Sequence, residues 1–574
     1  MRKIFLLICL FFIQQLHAKE NPVFDFIKVW NFLKYYHPDL ASGKLDADSL
    51  FLNHIESKNL NINQTISLLT KGLTNNVNST KKSNAPSDVI DDNQNFDWFQ
   101  KNSTITAKNK KILHNIHKNR FIGEQHYYVS KDGFTVDIPH EKPYNFSKDE
   151  SLPLKFRLLA LAKIIGAIDY LYPHKYLMDE HSTETLKSLI DECLIADSRK
   201  AFETVLAKSV ALLEDTHAFK FYNQLHYKKE IYHTSYFAPF DYQILDDYVL
   251  VTHIIIPEIC AKANIAVGDR IKAINGRSIP EIILEKNKLL STSNRAGLLF
   301  RLSDYHQNLL WMDDDAIKKL TVQKAGHSDT IQTQIALVNP GNKAELEVIL
   351  SYLRAKIQLK NTRKLNHPDI SYFRIDQTFS FIEDVEDNKI DSTMDSLFTN
   401  AASKKAIVFD MQAYPDWGGF VYTYVYRYFG QKSNYFGKYY QQNLSNIGTF
   451  SYVQNPDTYF PANQKLKSHQ YKGKVYILVN EETLSASEWN TMNLQHIFPQ
   501  SITIGQQTAG ADGDIKRLML PGGYQLEFTG NAIFYPNNDQ TQKKGLRIDQ
   551  YIPYTDADFL IPENRIFEMI KNQL

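Results

Sequence analysis

The spacing of apolar residues changes along the chain, and each change predicts a different kind of structure. Residues 24–36 carry apolar positions at helical spacing, and that pattern stops near Pro38. A second helical block covers residues 154–214. From about Tyr236 the apolar runs become short and strand-like, and from about Lys404 strands alternate with helices. This order predicts a helical N-terminal part, a β-rich part and an α/β part.

The chain has 574 residues, which predicts two to four domains, because a single core rarely grows this large. Residues 75–95 are rich in Asn, Ser, Asp and Lys and are expected to form a flexible loop. Lys and Arg number 65 against 64 Asp and Glu. This balance gives no reason to expect a nucleic-acid partner.

The N-terminus has the pattern of a secretory signal. Arg2 and Lys3 precede the apolar run 4–13, and cleavage is expected near Ala18. The run is too short to span a bilayer, so we expect an exported protein, periplasmic or secreted, without a transmembrane segment in its mature form. Only Cys193 and Cys260 remain in the mature chain, so disulfides are not the scaffold.

The strongest chemical signal is the segment 483–490, which contains Ser485. It follows an apolar strand-like run, 475–479, and opens a predicted helix that leads to another strand, 501–505. A serine at the end of a strand and the start of a helix suits a nucleophile, since the N–H groups of the first turn favour developing negative charge. Ser485 and Glu488 also fit an ordinary helix capping box.

The wider pattern resembles peptidase family S41, which contains the C-terminal processing and tricorn-type serine peptidases. Residues 483–488 and the downstream turn 505–510 match that family's signature in order and spacing. The resemblance makes Ser485 the nucleophile and gives Ser487 no chemical role. It also implies an α/β catalytic core of the ClpP/crotonase type and hydrolysis of peptides or proteins.

Residues 261–276 look like part of a PDZ domain, with a small helix, a Gly-Asp turn, a strand and an Asn-Gly hairpin turn. PDZ domains bind an extended peptide as an added strand. In that fold the peptide groove would begin near Phe237, Ala238, Pro239 and Phe240. The alternative is a structural β-domain whose groove is filled.

In family S41 a turn after a buried strand supplies one backbone donor to the oxyanion. The matching strand here is 406–411, and the turn contains Gly418 and Gly419, two residues later than in the family. Gly418 or Gly419 would be that donor, together with the N–H of Ala486, although Asp416 or Trp417 could serve instead.

The serine needs a base, and the family uses two solutions. The processing-peptidase branch uses a lysine shortly after the 505–510 turn; Lys516 is the nearest one here and is out of register. The tricorn-like branch uses a histidine preceded by a hydroxyl residue, and Thr216 and His217 match it. That resemblance implies that His217 is the base, supported by Thr216.

The tricorn-like branch also carries a carboxylate near the C-terminus, and Gln542 stands at the matching position. A glutamine can orient an imidazole but cannot stabilise its cation with charge. Either the third member is neutral, or another acid, such as Asp512 or Asp514, takes its place.

The sequence therefore predicts a multidomain α/β protein, an exported S41 serine peptidase that needs no metal or cofactor; its oligomeric state stays open. The rivals are an inactive S41 fold that binds peptides at the cell surface, and a related fold that binds a small apolar ligand. The predicted segments are a signal peptide (1–18), an N-terminal helical region with the loop (19–150), a helical region with the base (151–232), a PDZ-like domain (233–345) and the catalytic core (346–574).

Overall fold

The structure is a computed structural model that describes residues 21–57, 60–74, 88–130, 136–431, 435–453, 465–561 and 564–574. The predicted signal peptide, its cleavage site and residues 75–87 of the expected loop lie outside these ranges. Residues 88–95 differ from the loop expectation, because they contain a short strand and a 3-10 turn at 92–94. Within the described ranges, no helix combines the length and apolar character that a bilayer crossing requires.

The N-terminal part is helical, as the apolar spacing predicts. Helix α1 begins where Asn21 caps the amide of Phe24, and it ends at His37, ahead of Pro38. A 3-10 helix, Thr216–Gln224, precedes the last helix of this part. The helices and strands of the N-terminal part are α1 (Pro22–Tyr36), α2 (Pro38–Ala41), α3 (Ala47–His54), α4 (Ile62–Thr70), β1 (Val89–Ile90), α5 (Asp97–Gln100), α6 (Ala107–Lys118), β2 (Val129–Ser130), β3 (Val136–Asp137), α7 (Leu154–Gly166), α8 (Ser182–Ile195), α9 (Arg199–Ala211) and α10 (Lys228–Tyr232).

The middle part is an antiparallel sheet in the order β4-β5-β6-β8-β9, with β7 paired to β6. The predicted hairpin turn is present: Asn275 and Gly276, between β6 and β7, have φ values of 50° and 79°. The helices and strands of the middle part are β4 (Phe240–Leu245), β5 (Tyr248–Ile254), α11 (Pro257–Lys262), β6 (Arg270–Ile274), β7 (Arg277–Ser278), α12 (Ile279–Asn287), α13 (Arg295–Leu302), β8 (Ile317–Gln323), β9 (Thr330–Ala336) and the long helix α14 (Lys343–Thr362).

The C-terminal part holds a five-stranded sheet in which every pair is parallel, in the order β10-β11-β14-β15-β19. A second sheet has the order β1-β13-β12-β18, so a strand from the N-terminal part completes it. The elements are β10 (Ile370–Arg374), α15 (Asp387–Ala402), β11 (Ala406–Asp410), α16 (Tyr426–Phe429), β12 (Lys438–Gln442), β13 (Phe450–Tyr452), β14 (Lys474–Val479), α17 (Ala486–Ile497), β15 (Ile502–Gly505), β16 (Ile515–Leu520), β17 (Tyr524–Thr529), β18 (Ala532–Phe534), β19 (Gln550–Tyr551), α18 (Ala557–Leu560) and α19 (Arg565–Asn572).

The parallel sheet explains where a site can form. Strands β11, β14 and β15 end at Asp410, Val479 and Gly505, so the loops that follow them meet at one edge of the sheet. Ligands of open parallel sheets bind at this edge, outside the carboxyl ends of the strands.

Candidate active site

Ser485 lies on a strained turn between β14 and α17. It is the N-cap residue of α17, with φ 54° and ψ −116°, a conformation that non-glycine residues rarely adopt. A strained strand-to-helix turn of this kind is how α/β-hydrolases present a nucleophilic serine. Backbone strain that persists in a folded protein concentrates at functional sites.

Glu488 holds this turn against the loop that follows β15. Its Oε1 accepts hydrogen bonds from the Thr508 hydroxyl at 2.5 Å and the Gly510 amide at 2.9 Å. Its Oε2 accepts from the Ala511 amide at 3.0 Å and the Ser485 amide at 3.3 Å. Burial raises the pKa of Glu488, while these four bonds oppose that shift. The capping-box glutamate therefore ties the turn of Ser485 to residues 508–511.

His217 lies in the first turn of the 3-10 helix 216–224 and is 6% exposed. Its Nδ1 is 2.8 Å from the Thr529 hydroxyl and 3.5 Å from Oδ1 of Asp215. Asp215 also accepts hydrogen bonds from the amide of His217 at 3.1 Å, and from the Thr529 hydroxyl at 2.9 Å and amide at 2.5 Å. These contacts fix the imidazole through one of its two nitrogens.

Asp215 is fully buried, yet its carboxyl stays ionised. Burial alone would raise the pKa of its carboxyl, but the hydrogen bonds and charge of His217 and the Thr529 amide outweigh burial and hold the pKa below its usual value. A buried, ionised carboxylate beside an imidazole both orients the ring and stabilises its cation.

The other ring nitrogen, Nε2, is buried and has no hydrogen-bond partner among the described residues. The segment that carries His217 and the turn of Ser485 both contact the loop after β15. The Thr216 hydroxyl is 3.3 Å from the carbonyl of Ala509, and the amide of Ser485 donates to the carbonyl of Ala511 at 3.1 Å. This loop therefore connects the two candidate catalytic residues.

Thr216 holds its own backbone segment in place. Its hydroxyl accepts from the amide of Ser293 at 2.9 Å, and its amide donates to the Ser293 hydroxyl at 2.9 Å. The predicted supporting residue thus contacts the middle part of the chain and the loop after β15.

The loop after β11 lies against the turn of Ser485. The carbonyl of Met411 accepts the hydroxyls of Thr483 at 2.8 Å and Ser487 at 3.0 Å. Gly418 and Gly419 come later in this loop, directly before the π-helical turn 420–425. The amide of Asp416 already donates to the carbonyl of Ile375 at 3.3 Å, which leaves it unsuited to an oxyanion.

Gln542, which the family resemblance puts beside His217, has Tyr172 as its hydrogen-bond partner. It is fully buried, and its Nε2 is 3.5 Å from the Tyr172 hydroxyl. The groups that contact Nδ1 of His217 are Thr529 and Asp215, and Gln542 is not among them. Asp215 precedes His217 by two residues, and an Asp-x-His pattern was the available signal. Nothing in the sequence near Thr529 points to it.

The alternative acids and the alternative base are not among the groups that contact Nδ1 of His217. Asp514 pairs with Lys516 at 3.3 Å, and that lysine extends from β16. Burial and the charge of Glu488 raise the pKa of Asp512 well above its usual value, so it is a poor partner for an imidazolium.

Among the described residues, no cluster of three or more His, Cys, Asp or Glu side chains could hold a metal ion.

Backbone groups of the predicted peptide-binding loop, 237–240, are already hydrogen-bonded within the protein. Phe237 exchanges two hydrogen bonds with Val338, and the carbonyl of Ala238 accepts the Tyr305 hydroxyl at 2.6 Å. The carbonyl of Pro239 accepts two amides, and Phe240 is fully buried in β4. The arrangement favours the alternative of a structural β-domain over capture of a peptide terminus by this loop.

Comparison with known proteins identifies the C-terminal part. Residues 384–552 match the model of peptidase family S41, and none of the curated proteins matches the chain. Mature CPAF in complex with lactacystin is similar in structure, with TM-score 0.51 and 13% identity over 74% of this chain and 98% of CPAF. A second structure of mature CPAF gives a TM-score of 0.50 at 12% identity, over 73% and 97% of the two chains.

At such low identity the CPAF structures show only that the fold is shared. The family match covers the strands, loops and helix that position Ser485. The match to peptidase family S41 is therefore a property of residues 384–552, the segment that carries Ser485.

Proposed function

We propose that Ser485 and His217 hydrolyse peptide bonds through an acyl-enzyme. The observation that carries this proposal is the state of the His217 ring: Asp215 and Thr529 hold Nδ1, while Nε2 is buried without a partner. A neutral imidazole held in this way has its lone pair on Nε2, ready for a proton.

In the first half of the reaction the Ser485 oxygen attacks the scissile carbonyl, and its proton moves to Nε2 of His217. The tetrahedral intermediate then collapses as the C–N bond breaks, and His217 returns the proton to the leaving amine. In the second half a water attacks the ester, gives its proton to His217, and Ser485 leaves as the hydroxyl. Asp215 stabilises the imidazolium in both halves.

The oxyanion needs two donors. The amide of Ala486, first residue of α17, has no acceptor within the helix and lies next to Ser485. We assign the second donor to the loop after β11, at Gly418 or Gly419, since that loop contacts the turn of Ser485 through Met411.

The substrates are peptides or proteins, in keeping with the family. Export follows from the sequence at the N-terminus, where Arg2 and Lys3 precede the apolar run 4–13. N-terminal sequencing of the protein from an exporting host should begin near residue 19; an intact Met1 on exported protein would contradict processing at Ala18.

A fluorophosphonate probe tests the chemistry directly. Such probes label a serine only when it is activated as a nucleophile. The wild-type chain should be labelled at Ser485, and the Ser485→Ala and His217→Ala variants should not. Folded wild-type protein that remains unlabelled would favour the rival, an inactive S41 fold that binds its ligand without cleaving it.

A further inference from the structure

A cavity of about 380 Å³ lies between α12, α13 and the segment that leads into His217. One face of α12 forms a wall, because Pro280, Ile283, Leu284 and Asn287 have the i, i+3, i+4, i+7 spacing of a single helix stripe. Leu284 is 60% exposed although it is a large aliphatic residue. The cavity therefore offers an open aliphatic surface.

The floor of the cavity contains a buried polar group without a partner. Thr292 is 5% exposed, and its hydroxyl has no hydrogen bond to the described residues. Buried hydroxyls are nearly always hydrogen-bonded, so this one points to a ligand that supplies the missing partner.

The charges at the rim are already neutralised. Arg295 donates to Asp246 at 2.6 Å, and Glu214 forms an ion pair with Lys543. A charged ligand would have to compete with these partners. The cavity is thus suited to a neutral group that combines an aliphatic side chain with hydrogen-bonding atoms.

The floor is bonded directly to the candidate active site. The hydroxyl of Ser293, a lining residue, accepts from the amide of Thr216 at 2.9 Å, and the amide of Ser293 donates to the Thr216 hydroxyl at 2.9 Å. Asn294 donates to the carbonyl of Thr508, a residue whose hydroxyl binds Glu488 beside Ser485. The lining of the cavity is therefore hydrogen-bonded to the residue before His217 and to the loop that contacts the turn of Ser485.

We propose that this cavity is a substrate-binding site that takes an aliphatic side chain and the adjoining peptide group of the polypeptide cleaved at Ser485. The assignment of the ligand as substrate rests on the proposed function. The aliphatic side chain packs on Ile283, Leu284 and Leu298, and a peptide N–H or C=O pairs with the Thr292 hydroxyl.

The test measures binding without turnover. Fluorescein-labelled tryptic peptides of β-casein are titrated with the full-length Ser485→Ala chain, and anisotropy gives the dissociation constant. Adding Leu284→Asp should weaken binding about tenfold or more, since it places a charge in the aliphatic wall. Thr292→Val, which preserves shape, should also weaken it. Val267→Asp is the matched control, because Val267 is 45% exposed in the same part of the chain and outside the cavity.

Equal binding by the Leu284→Asp and Val267→Asp variants, or no binding by the parent, overturns the proposal. In the active chain, Leu284→Asp should raise KM for labelled casein, whereas Val267→Asp should leave both that KM and the hydrolysis of p-nitrophenyl butyrate within about twofold. A fall in kcat with unchanged KM would contradict a substrate site. Failure of the proposed function has a separate signature, namely an unlabelled Ser485 with no ester hydrolysis.

Discussion

At the scale of single residues, the proposed mechanism depends on which ring nitrogen of His217 accepts the serine proton. Asp215 and Thr529 both contact Nδ1, and their own contacts with each other make this side of the ring rigid. The two alternative groups are engaged elsewhere, since Lys516 contacts Asp514 and Gln542 contacts Tyr172. Substitutions at these positions separate the possible mechanisms.

Replacing Ser485 by alanine should lower kcat on labelled casein by about 10⁴-fold or more, because no other hydroxyl can form the acyl-enzyme. Lys516→Met keeps the buried stem of Lys516 and removes only its charge, so kcat should stay within about threefold. If Lys516→Met is as inactive as Ser485→Ala, the base is the lysine and His217 is not involved in proton transfer.

Replacing Asp215 by asparagine should lower kcat about 10²- to 10⁴-fold with little change in KM, since the amide removes the charge that stabilises the imidazolium. Gln542→Met, a volume-conserving change at a buried position, is the comparison and should lower kcat less than tenfold. Steady-state kinetics on folded protein decide between them. A larger loss in the Gln542 variant would restore that residue as the third catalytic group.

At the scale of elements, the turn between β14 and α17 combines strain with anchoring. Ser485 adopts a positive φ, and Glu488 binds both the turn and the loop after β15. The four bonds to Glu488 supply the stabilisation that a strained residue requires. This turn therefore presents the serine at a cost in conformational energy that its surroundings offset.

Glycine at position 485 should relieve the strain, because glycine adopts positive φ without steric penalty. The free energy of unfolding of Ser485→Gly should exceed that of Ser485→Ala by about 1–2 kcal/mol, although both variants lack the nucleophile. Urea denaturation of the two variants provides the measurement. Equal stabilities, or a less stable glycine variant, would show that the turn is relaxed.

At the scale of the whole molecule, the helical part depends on charges buried together. Lys34 of α1 pairs with Glu141, and Lys163 of α7 pairs with Glu141 at 2.8 Å and with Asp48 of α3 at 2.9 Å. All four side chains are at most 3% exposed. The two positive and two negative charges balance, so the loss of any one leaves an uncompensated charge in the interior.

Glu141→Gln should lower the free energy of unfolding at pH 7 by about 3–5 kcal/mol. Burial would raise the pKa of Glu141, but Lys163 and Lys34 outweigh burial and hold it below the usual 4.5. Its stabilisation is therefore present above pH 4.5 and lost as the pH falls through the lower folded-state value. Glu180→Gln, at a side chain 86% exposed, is the control.

Urea denaturation at pH 7 and between pH 5 and 3 tests this expectation. Wild-type stability should fall over the acidic range, and the Glu141→Gln variant should show a flatter dependence. A variant as stable as wild type at pH 7 would show that the buried charges contribute nothing net.

The sequence by itself determined the features that depend on neighbouring residues. The end of β14, the serine turn and the start of α17 are consecutive in the sequence, and so are the residues of the hairpin turn at Asn275 and Gly276. Both features can be predicted because strand, cap and turn preferences act over a few residues. The S41 assignment of residues 384–552 follows from the same local pattern.

Only the tertiary structure decided the partners of His217. Thr529 lies 312 residues further along the chain, and it meets His217 because β17 packs along the 3-10 helix 216–224. No local preference encodes such a pairing. The contact with Asp215 rather than Gln542 also appears only in the folded chain. Both side chains are fully buried, and Asp215 lies 3.5 Å from Nδ1 of His217, whereas Gln542 contacts Tyr172.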